Sequence, residues 1–302
     1  HGAVVARAIR RPRPPGAEAP GLAGRWPAWL AAYVASQVAL YFSVKEVLGE
    51  LGPALFLPAY LLGTSALLAL AARRVEGLSG GVVKLGLMQA ASAALWLSGL
   101  YLLPPAPAAA INYFMPFVAM GLGAALLGEG LDAWEAAGAA VGGAGVALFA
   151  AYSVRGALSA LGVALTLANT VTWASYSLYY RRLGAGDPAA LNAASLLVAG
   201  LASLPALALG LRWARPGPPQ ALAAYLLASL ASSALGYASW TELVRSTSVA
   251  RATLSSYAAP AAIAAVQAAL GEPVAAAQAA GLGIMVLGAA VAFGGEGRRA
   301  GA

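Results

Sequence analysis

The stretch INYFMPFVAMGLGAALLGE at residues 111–129 has a counterpart, SSYAAPAAIAAVQAALGE, at residues 255–272. In each stretch a Tyr stands three residues before a Pro, and an apolar run then ends in Gly-Glu. A Trp precedes each Pro by twenty residues, at Trp96 and Trp240. Gly residues follow each Glu by 9 and by 16 residues: Gly138, Gly145, Gly281 and Gly288. The sequence therefore predicts an internal repeat.

The repeat extends toward the N-terminus of each half. LGELGP at 48–53 is matched by LGAGDP at 183–188, and Tyr41 upstream of the first is matched by Tyr176 upstream of the second. Similarity between two Ala-rich segments does not by itself reproduce such spacings of Trp, Pro and Glu. The two halves together cover the chain from its first apolar run to its last.

The composition indicates a membrane protein. Of the 302 residues, 61% are hydrophobic and 10% are charged, and the mean hydropathy is +0.75. A soluble domain has about a quarter of its residues charged. A β-barrel would show alternating segments of about ten residues, whereas runs such as LPAYLLGTSALLALAA do not alternate. We therefore predict an all-α integral membrane protein, because only helices and closed barrels satisfy the backbone inside lipid.

Gly, Pro and charged residues divide the apolar sequence into segments of about 20 residues, the length that a transmembrane helix needs. Ten spans are predicted at residues 26–44, 53–72, 84–103, 108–127, 133–152, 157–180, 188–211, 219–241, 250–270 and 274–294. Residues 26–152 form the first five-helix repeat and 157–294 the second. A basic, Pro-rich arm at 1–25 and a tail at 295–302 flank them. Since five is odd, the second repeat enters the membrane from the opposite face, as in transporters with inverted repeats.

The positions of Lys and Arg predict the orientation. With the N-terminus inside, 14 of the 18 basic residues fall in inside segments, and only Lys45, Arg155, Arg212 and Arg215 fall outside. The positive-inside rule then places both termini in the cytoplasm. The net charge of +7 is accounted for in this way, and we expect no nucleic-acid partner. The chain has no Cys, and its only His is His1, so we expect no metal site and no cofactor.

Polar and aromatic residues recur at helical spacing on several predicted spans. Asn169, Trp173, Tyr176 and Tyr180 share one face of span 6, and Ser229, Ser233, Tyr237 and Trp240 share one face of span 8. Such stripes either pack between helices or line a cavity, and the spacing leaves both alternatives open. We take them as cavity residues, since polar groups in a membrane are costly unless they face a cavity or a partner. The candidate substrate-binding residues are Gln37, Tyr41, Gln89, Trp96, Asn112, Tyr113, Asn169, Trp173, Tyr176, Ser233, Tyr237, Trp240, Ser256 and Tyr257.

Prolines and acidic residues complete the prediction. Pro116 and Pro260 fall inside predicted spans, where a Pro leaves an unpaired carbonyl and bends the helix, so both are candidate gating hinges. All eleven acidic residues fall in tails, loops or span ends. We therefore expect no obligatory proton coupling through a carboxylate in the membrane. Glu129 and Glu272 are expected to cap the helices that follow them.

These features resemble the drug/metabolite transporter superfamily, EamA family, over residues 26–294. INYFMP at 111–116, TWASY at 172–176, LGYASW at 235–240 and SSYAAP at 255–260 are similar to the YddG-type aromatic amino acid exporters. The resemblance implies export of aromatic amino acids (Trp, Phe, Tyr) and other neutral ones by alternating access. The cavity would be lined by spans 1, 3, 4, 6, 8 and 9. The location would be the bacterial inner membrane, with amino acids and the lipid bilayer as partners and a monomer as a plausible state.

Three other functions are weighed against this one. Efflux of cationic drugs or other metabolites by the same superfamily would usually need an acidic group in the cavity. An intramembrane enzyme would need a His, a paired carboxylate or a Ser-Lys arrangement deep in a span, and Lys45 and Lys84 lie at span ends. A channel fits poorly with an inverted repeat and a closed aromatic cavity. We therefore predict a transporter and not an enzyme.

Overall fold

The computed structural model describes residues 25–73, 76–103, 105–127, 132–153, 159–183, 187–211, 218–247, 249–271 and 274–293. All regular secondary structure in these ranges is helical, as the sequence predicts. The predicted arm up to residue 24, the tail at 295–302, and Glu129 and Glu272 lie outside the described residues. The helices are α1 (Trp26–Ala72), α2 (Gly80–Leu102), α3 (Pro105–Asn112), α4 (Met115–Leu127), α5 (Ala133–Ser153), α6 (Ala160–Leu183), α7 (Pro188–Ser203), α8 (Leu207–Gly210), α9 (Pro219–Ser246), α10 (Val249–Ser255), α11 (Ala258–Ala269) and α12 (Ala276–Phe293), with a 3-10 turn at Leu204–Ala206.

Helix α1 doubles back on itself at Gly52. Gly52 has φ of 69° and ψ of 166°, a conformation that favours glycine. The rings of Tyr41 and Tyr60 both lie 6.1 Å from the ring of Trp96. A straight helix would hold residues 41 and 60 about 28 Å apart, so the chain must reverse between them. The two legs of α1 correspond to the first two predicted spans.

The two quoted stretches are each interrupted rather than continuous. Helix α3 ends at Asn112 and α4 begins at Met115, while α10 ends at Ser255 and α11 begins at Ala258. The prediction of unbroken helices over 108–127 and 250–270, bent at a Pro, was wrong.

The prolines explain where the breaks fall. A Pro ring clashes with the carbonyl four residues earlier. For Pro116 and Pro260 those carbonyls belong to Asn112 and Ser256, next to the two breaks. Each Pro therefore sits in the first turn of the following helix, where its missing N–H costs little.

Glycines bring α5 and α12 into backbone contact. A Cβ added at Gly138 would lie 2.6 Å from the carbonyl oxygen of Gly288, and one added at Gly145 would lie 2.6 Å from that of Gly281. These are the four glycines whose spacing repeats in the sequence. Small residues at such positions let helices approach closely in a membrane, and the contact runs antiparallel because the numbers of the paired residues change in opposite directions.

Helix N-termini carry local caps. Asp132 Oδ1 accepts from the Glu135 amide at 2.8 Å, and Glu135 Oε2 accepts from the Asp132 amide at 3.2 Å, which is a capping box at the start of α5. Asp187 Oδ1 accepts from the amides of Ala189 and Ala190 at the start of α7. The expected caps Glu129 and Glu272 lie outside the described residues.

The outer surface of the bundle is apolar. Leu70, Leu227 and Leu270 expose 75%, 68% and 68% of their surface, as expected where lipid rather than water is the solvent. In the part of the chain that the structure describes, four segments are long and apolar enough to cross a membrane: Trp26–Ala72, Gly80–Leu102, Pro188–Gly210 and Pro219–Ser246. Shorter apolar helices cover Met115–Ala125, Ala133–Phe149 and Ala276–Ala292. The count of ten spans stays a prediction.

The helices that position the site contact one another across the two halves of the chain. Helix α1 contacts α9 and α7, and α2 contacts α6 and α7. The broken segments α3–α4 and α10–α11 contact α6, α1 and each other. The stripes of α6 and α9 are thereby directed toward α1, α2 and the two breaks.

Candidate functional site

A cavity of about 110 Å³ lies between α1, α2, α6, α9 and the two helix breaks. Its walls are aromatic and amide-bearing, and two of its edges are the irregular backbone at Asn112–Met115 and Ser256. Irregular backbone at membrane depth is tolerated where it lines a cavity or is buried in protein. The breaks that the prolines enforce are thus part of the cavity wall.

Ten of the fourteen residues chosen from the sequence line this cavity. They come from both halves of the chain and are Gln37, Tyr41, Trp96, Asn112, Tyr113, Asn169, Trp173, Ser233, Tyr237 and Ser256. The helical stripes therefore converge on one space.

The other four candidates lie outside the lining. Tyr257 is fully buried, and its ring faces Gly142 of α5 and lies 6.2 Å from the ring of Tyr113. Tyr176 and Trp240 are also buried. Both rings pack against the ring of Trp173, with centroid distances of 5.0 Å for Tyr176 and 6.1 Å for Trp240. Gln89 is fully buried, and neither of its amide atoms has a geometric hydrogen-bond partner among the described residues.

Tyr176 and Trp240 belong to what we call the buried layer: Tyr176, Tyr180, Asn192, Trp240 and Thr241. The Tyr176 hydroxyl donates to Asn192 Oδ1 at 2.8 Å, and Asn192 Nδ2 donates to Thr241 Oγ1 at 3.2 Å. Each of the five is at most 2% exposed. This layer closes the cavity on the side where α6 and α9 end.

Several cavity residues were missed by reasoning from the sequence. Tyr60 lines the cavity, and its hydroxyl accepts from Ser233 Oγ at 2.9 Å. It stands alone in an apolar run, so no stripe marked it. Thr170, Met115 and Gly236 line the cavity beside residues that were chosen. Asn192 of the buried layer could have been noticed as the only Asn in its apolar run.

Three polar side chains form a hydrogen-bonded row along one wall. Ser92 Oγ donates to Asn169 Oδ1 at 2.7 Å, and Asn169 Nδ2 donates to Asn112 Oδ1 at 2.9 Å. The row joins α2, α6 and the end of α3. It fixes the orientation of both amides at the edge of the first helix break.

Aromatic rings also line the cavity. The Trp173 ring lies 5.6 Å from that of Tyr237, and Tyr33 lies 5.2 Å from Trp240. Aromatic rings at such distances attract each other in tilted arrangements and would receive another ring in the same way. The cavity therefore offers both π faces and hydrogen-bonding groups to a ligand.

None of the described residues that line the cavity is charged, and none is a His. Within the same part of the chain, no group of three His, Cys, Asp or Glu residues could hold a metal ion. Glu135 is buried, but it lies at the start of α5 in the capping box. The site can therefore bind a ligand through neutral hydrogen bonds and π faces, without a fixed charge in its lining.

Residues 160–294 match the model of the EamA-like transporter family. The chain is 26% identical over 231 residues to a protein of Acidianus ambivalens described as an uncharacterized transporter in the sor 3' region, covering 76% of this chain and 88% of that protein. One crystal structure is similar with a TM-score of 0.72 and 23% identity, covering 92% of this chain and 99% of its own. That likeness shows a shared fold over nearly the whole chain.

Proposed function

We propose that this chain, which carries an EamA-like transporter domain over residues 160–294, exports aromatic and other neutral amino acids across the bacterial inner membrane. Its similarity to a transporter over most of its length favours transport over catalysis. The observation that carries the choice of substrate is the cavity, which combines aromatic rings with amide groups and is lined by no charged residue among those described. The short motifs shared with YddG-type exporters support the same substrate class.

The proposal includes an inverted repeat of two five-helix halves, 26–152 and 157–294. The sequence repeat pairs Gly138 with Gly281 and Gly145 with Gly288. In a pair of halves related by a two-fold axis, a contact between 138 and 288 requires an equivalent contact between 281 and 145. Both contacts are present. Tyr113 and Tyr257, which are equivalent to each other in the repeat, also lie side by side, as residues next to such an axis should.

Alternating access is supported by a difference between the two ends of the cavity. Tyr41 and Trp96 correspond in the repeat to Tyr176 and Trp240. The first pair lines the cavity, whereas the second pair is buried in the layer that closes it. In the alternate state the second pair would line the cavity. With the orientation that the Lys and Arg distribution predicts, the end closed here is the cytoplasmic one.

We also infer that transport needs no proton relay through a buried carboxylate, since the described lining holds no acidic residue and no His. Efflux of cationic drugs is disfavoured for the same reason, because no carboxylate is present there to balance the charge.

The test is uptake of radiolabelled Trp, Phe and Leu into proteoliposomes that contain only this protein, with and without a pH gradient. We expect saturable Trp uptake without a gradient, and competition by unlabelled Phe. Absence of uptake by a protein shown to be folded would contradict the substrate assignment. Dependence of Trp uptake on a pH gradient, abolished by neutralising one Glu or Asp, would contradict the uncoupled mechanism.

A further inference from the structure

The buried amide of Gln89 has no role in the cavity as it stands in this structure. Gln89 is 0% exposed. Among the described residues it is the only one with two buried side-chain atoms that lack a geometric hydrogen-bond partner, its Oε1 and its Nε2. Such groups are rare in folded proteins, because burying a donor and an acceptor without partners is costly.

The internal repeat gives Gln89 an equivalent residue in the second half. Gln89 and Ser233 are 144 residues apart, as are Trp96 and Trp240. Ser233 lines the cavity, whereas Gln89 does not. The two equivalent positions therefore have different surroundings in this structure.

Two close contacts support this register within one helical turn of Gln89. A Cβ added at Gly86 would lie 2.7 Å from the Cβ of Val198, and one added at Gly63 would lie 2.6 Å from Cδ1 of Leu230. Gly86 and Leu230 are 144 residues apart, and Gly63 and Val198 are 135 apart, as are Tyr41 and Tyr176. The two contacts therefore join equivalent pairs, as a two-fold relation between the halves requires.

The hydrogen bond of Ser233 has no counterpart at Gln89. Ser233 Oγ donates to the Tyr60 hydroxyl at 2.9 Å. The residue equivalent to Tyr60 is Ser195, again 135 residues further on. The Ser195 hydroxyl donates instead to the carbonyl oxygen of Asn192 in its own helix, at 3.2 Å. The position that pairs with Ser233 in the cavity thus offers no partner to Gln89.

We propose that Gln89 binds the substrate in the state that opens to the cytoplasm, where its amide enters the cavity at the position that Ser233 has here. This inference rests on the proposed function, because alternating access between inverted repeats exchanges the surroundings of equivalent residues. The amide buried without partners in the present state gains a partner in the other one. Its burial here disfavours the present state and so favours opening to the cytoplasm.

The chemistry of an amide suits an amino acid. The Gln89 oxygen can accept from an ammonium group, and its nitrogen can donate to a carboxylate. Hydrogen bonds to charged groups are stronger than those between neutral ones. Gln89 can therefore bind either charged group of an amino acid without placing a fixed charge in the membrane.

The first experiment measures the exposure of position 89 from each face of the membrane. The chain has no Cys, so Gln89→Cys introduces a single thiol. A membrane-impermeant maleimide should label Gln89→Cys in inside-out membrane vesicles and not in right-side-out vesicles, and Trp should slow the labelling. Leu97→Cys is the matched control on the same helix. Leu97 and its equivalent Thr241 are both 0% exposed, so position 97 should stay unlabelled from either face.

The second experiment measures the Trp concentration that gives half-maximal uptake into each kind of vesicle. Gln89→Leu should raise it about tenfold at the cytoplasmic face, the value of one hydrogen bond to a charged group, and should not raise it at the outer face. Ser233→Ala should raise it at the outer face only. Vesicles from cells without the protein set the background.

The outcomes separate a binding role from a structural one. Failure of the maleimide to label Gln89→Cys from the cytoplasmic face would overturn the inference, as would an equal rise at both faces in Gln89→Leu. Absence of Trp uptake by the unmodified protein would instead overturn the proposed substrate. Labelling of Gln89→Cys distinguishes that case, because the exposure of position 89 does not depend on which molecule is transported.

Discussion

Replacing Gly288 by Ala should destabilise the protein, whereas replacing Gly283 by Ala should not. Both residues are in α12, five positions apart. A Cβ at position 288 would lie 2.4 Å from the backbone nitrogen of Gly142 and 2.5 Å from its Cα. Because both atoms are backbone, α5 and α12 must separate to accommodate it. A Cβ at position 283 would meet nothing within 4 Å.

The magnitudes follow from these contacts. Overpacking a close contact costs about 1–3 kcal/mol, and the separation also weakens the neighbouring contact between Gly138 and Ala292. Against this, Ala is more favourable than Gly in a helix by about 1 kcal/mol. We expect Gly288→Ala to lower the free energy of unfolding by up to about 2 kcal/mol, and Gly283→Ala to raise it by up to about 1 kcal/mol.

The assay is reversible unfolding of the purified protein in mixed micelles with increasing SDS, followed by circular dichroism. Gly145→Ala, which would meet the carbonyl oxygen of Gly281 at 2.6 Å, should behave like Gly288→Ala. Equal stability of the Gly288 and Gly283 variants would refute the close backbone contact between α5 and α12. It would also remove one support for the two-fold relation between the halves.

Three further predictions concern the cavity and the buried layer. Trp173→Ala should reduce transport of Trp and Phe and should destabilise the protein less than Trp240→Ala, because the Trp173 ring is only partly buried. Trp240→Ala removes a buried ring and its hydrogen bond to Ser177 and should cost about 3–5 kcal/mol of stability. Uptake and SDS unfolding of both variants test this, and a larger loss of stability in Trp173→Ala would contradict the placement of the two rings. Gln89→Leu should stabilise the protein by about 1–3 kcal/mol, since it removes a buried amide that has no hydrogen-bond partner among the described residues. A lower unfolding midpoint than that of the unmodified protein would show that the amide is paired. Pro116→Ala and Pro260→Ala should let the helix continue across the breaks and slow Trp counterflow; unchanged rates in both variants, measured beside Pro58→Ala in α1, would remove the prolines from gating.

Much of the fold could be predicted from the sequence because membrane helices are long apolar segments with breaks at Gly and Pro. Apolar runs bounded by Gly and Pro matched the observed helices closely, as with α2, α5 and α6. The repeated glycines are small residues of the kind that allows close contact between membrane helices. That Gly138 and Gly145 meet Gly288 and Gly281 across the two halves could not be predicted, because spacing does not say which helix is the partner.

The helix breaks were missed for a different reason. Neither break contains Gly or Pro, since Tyr113–Phe114 and Ser256–Tyr257 form them. The cause lies a few residues later, in the clash of each Pro with the carbonyl four positions before it. A Pro inside an apolar run was interpreted as a bend at its own position, whereas here it marks the first turn of a new helix.

The helix faces that turn toward the candidate site could be predicted, but the positions along each helix at which the cavity ends could not. Helical spacing placed Trp173 and Tyr176 on one face of α6, and both do point inward. A step of three residues advances about 4.5 Å along a helix, enough to move Tyr176 from the cavity into the buried layer. Tyr60 shows the converse, because it reaches the cavity through the reversal of α1 at Gly52, which no stripe could indicate.

The central claim is that the cavity between the two halves holds the transported amino acid, and protection of a cysteine placed in it is the most direct test. The chain contains no Cys, so Ser233→Cys introduces a single thiol in the cavity wall and Gly77→Cys a single thiol in an exposed loop. In proteoliposomes, Trp should slow alkylation of Ser233→Cys by a maleimide in a concentration-dependent way and leave alkylation of Gly77→Cys unchanged. Trp that is transported without slowing the reaction at position 233 would contradict the account.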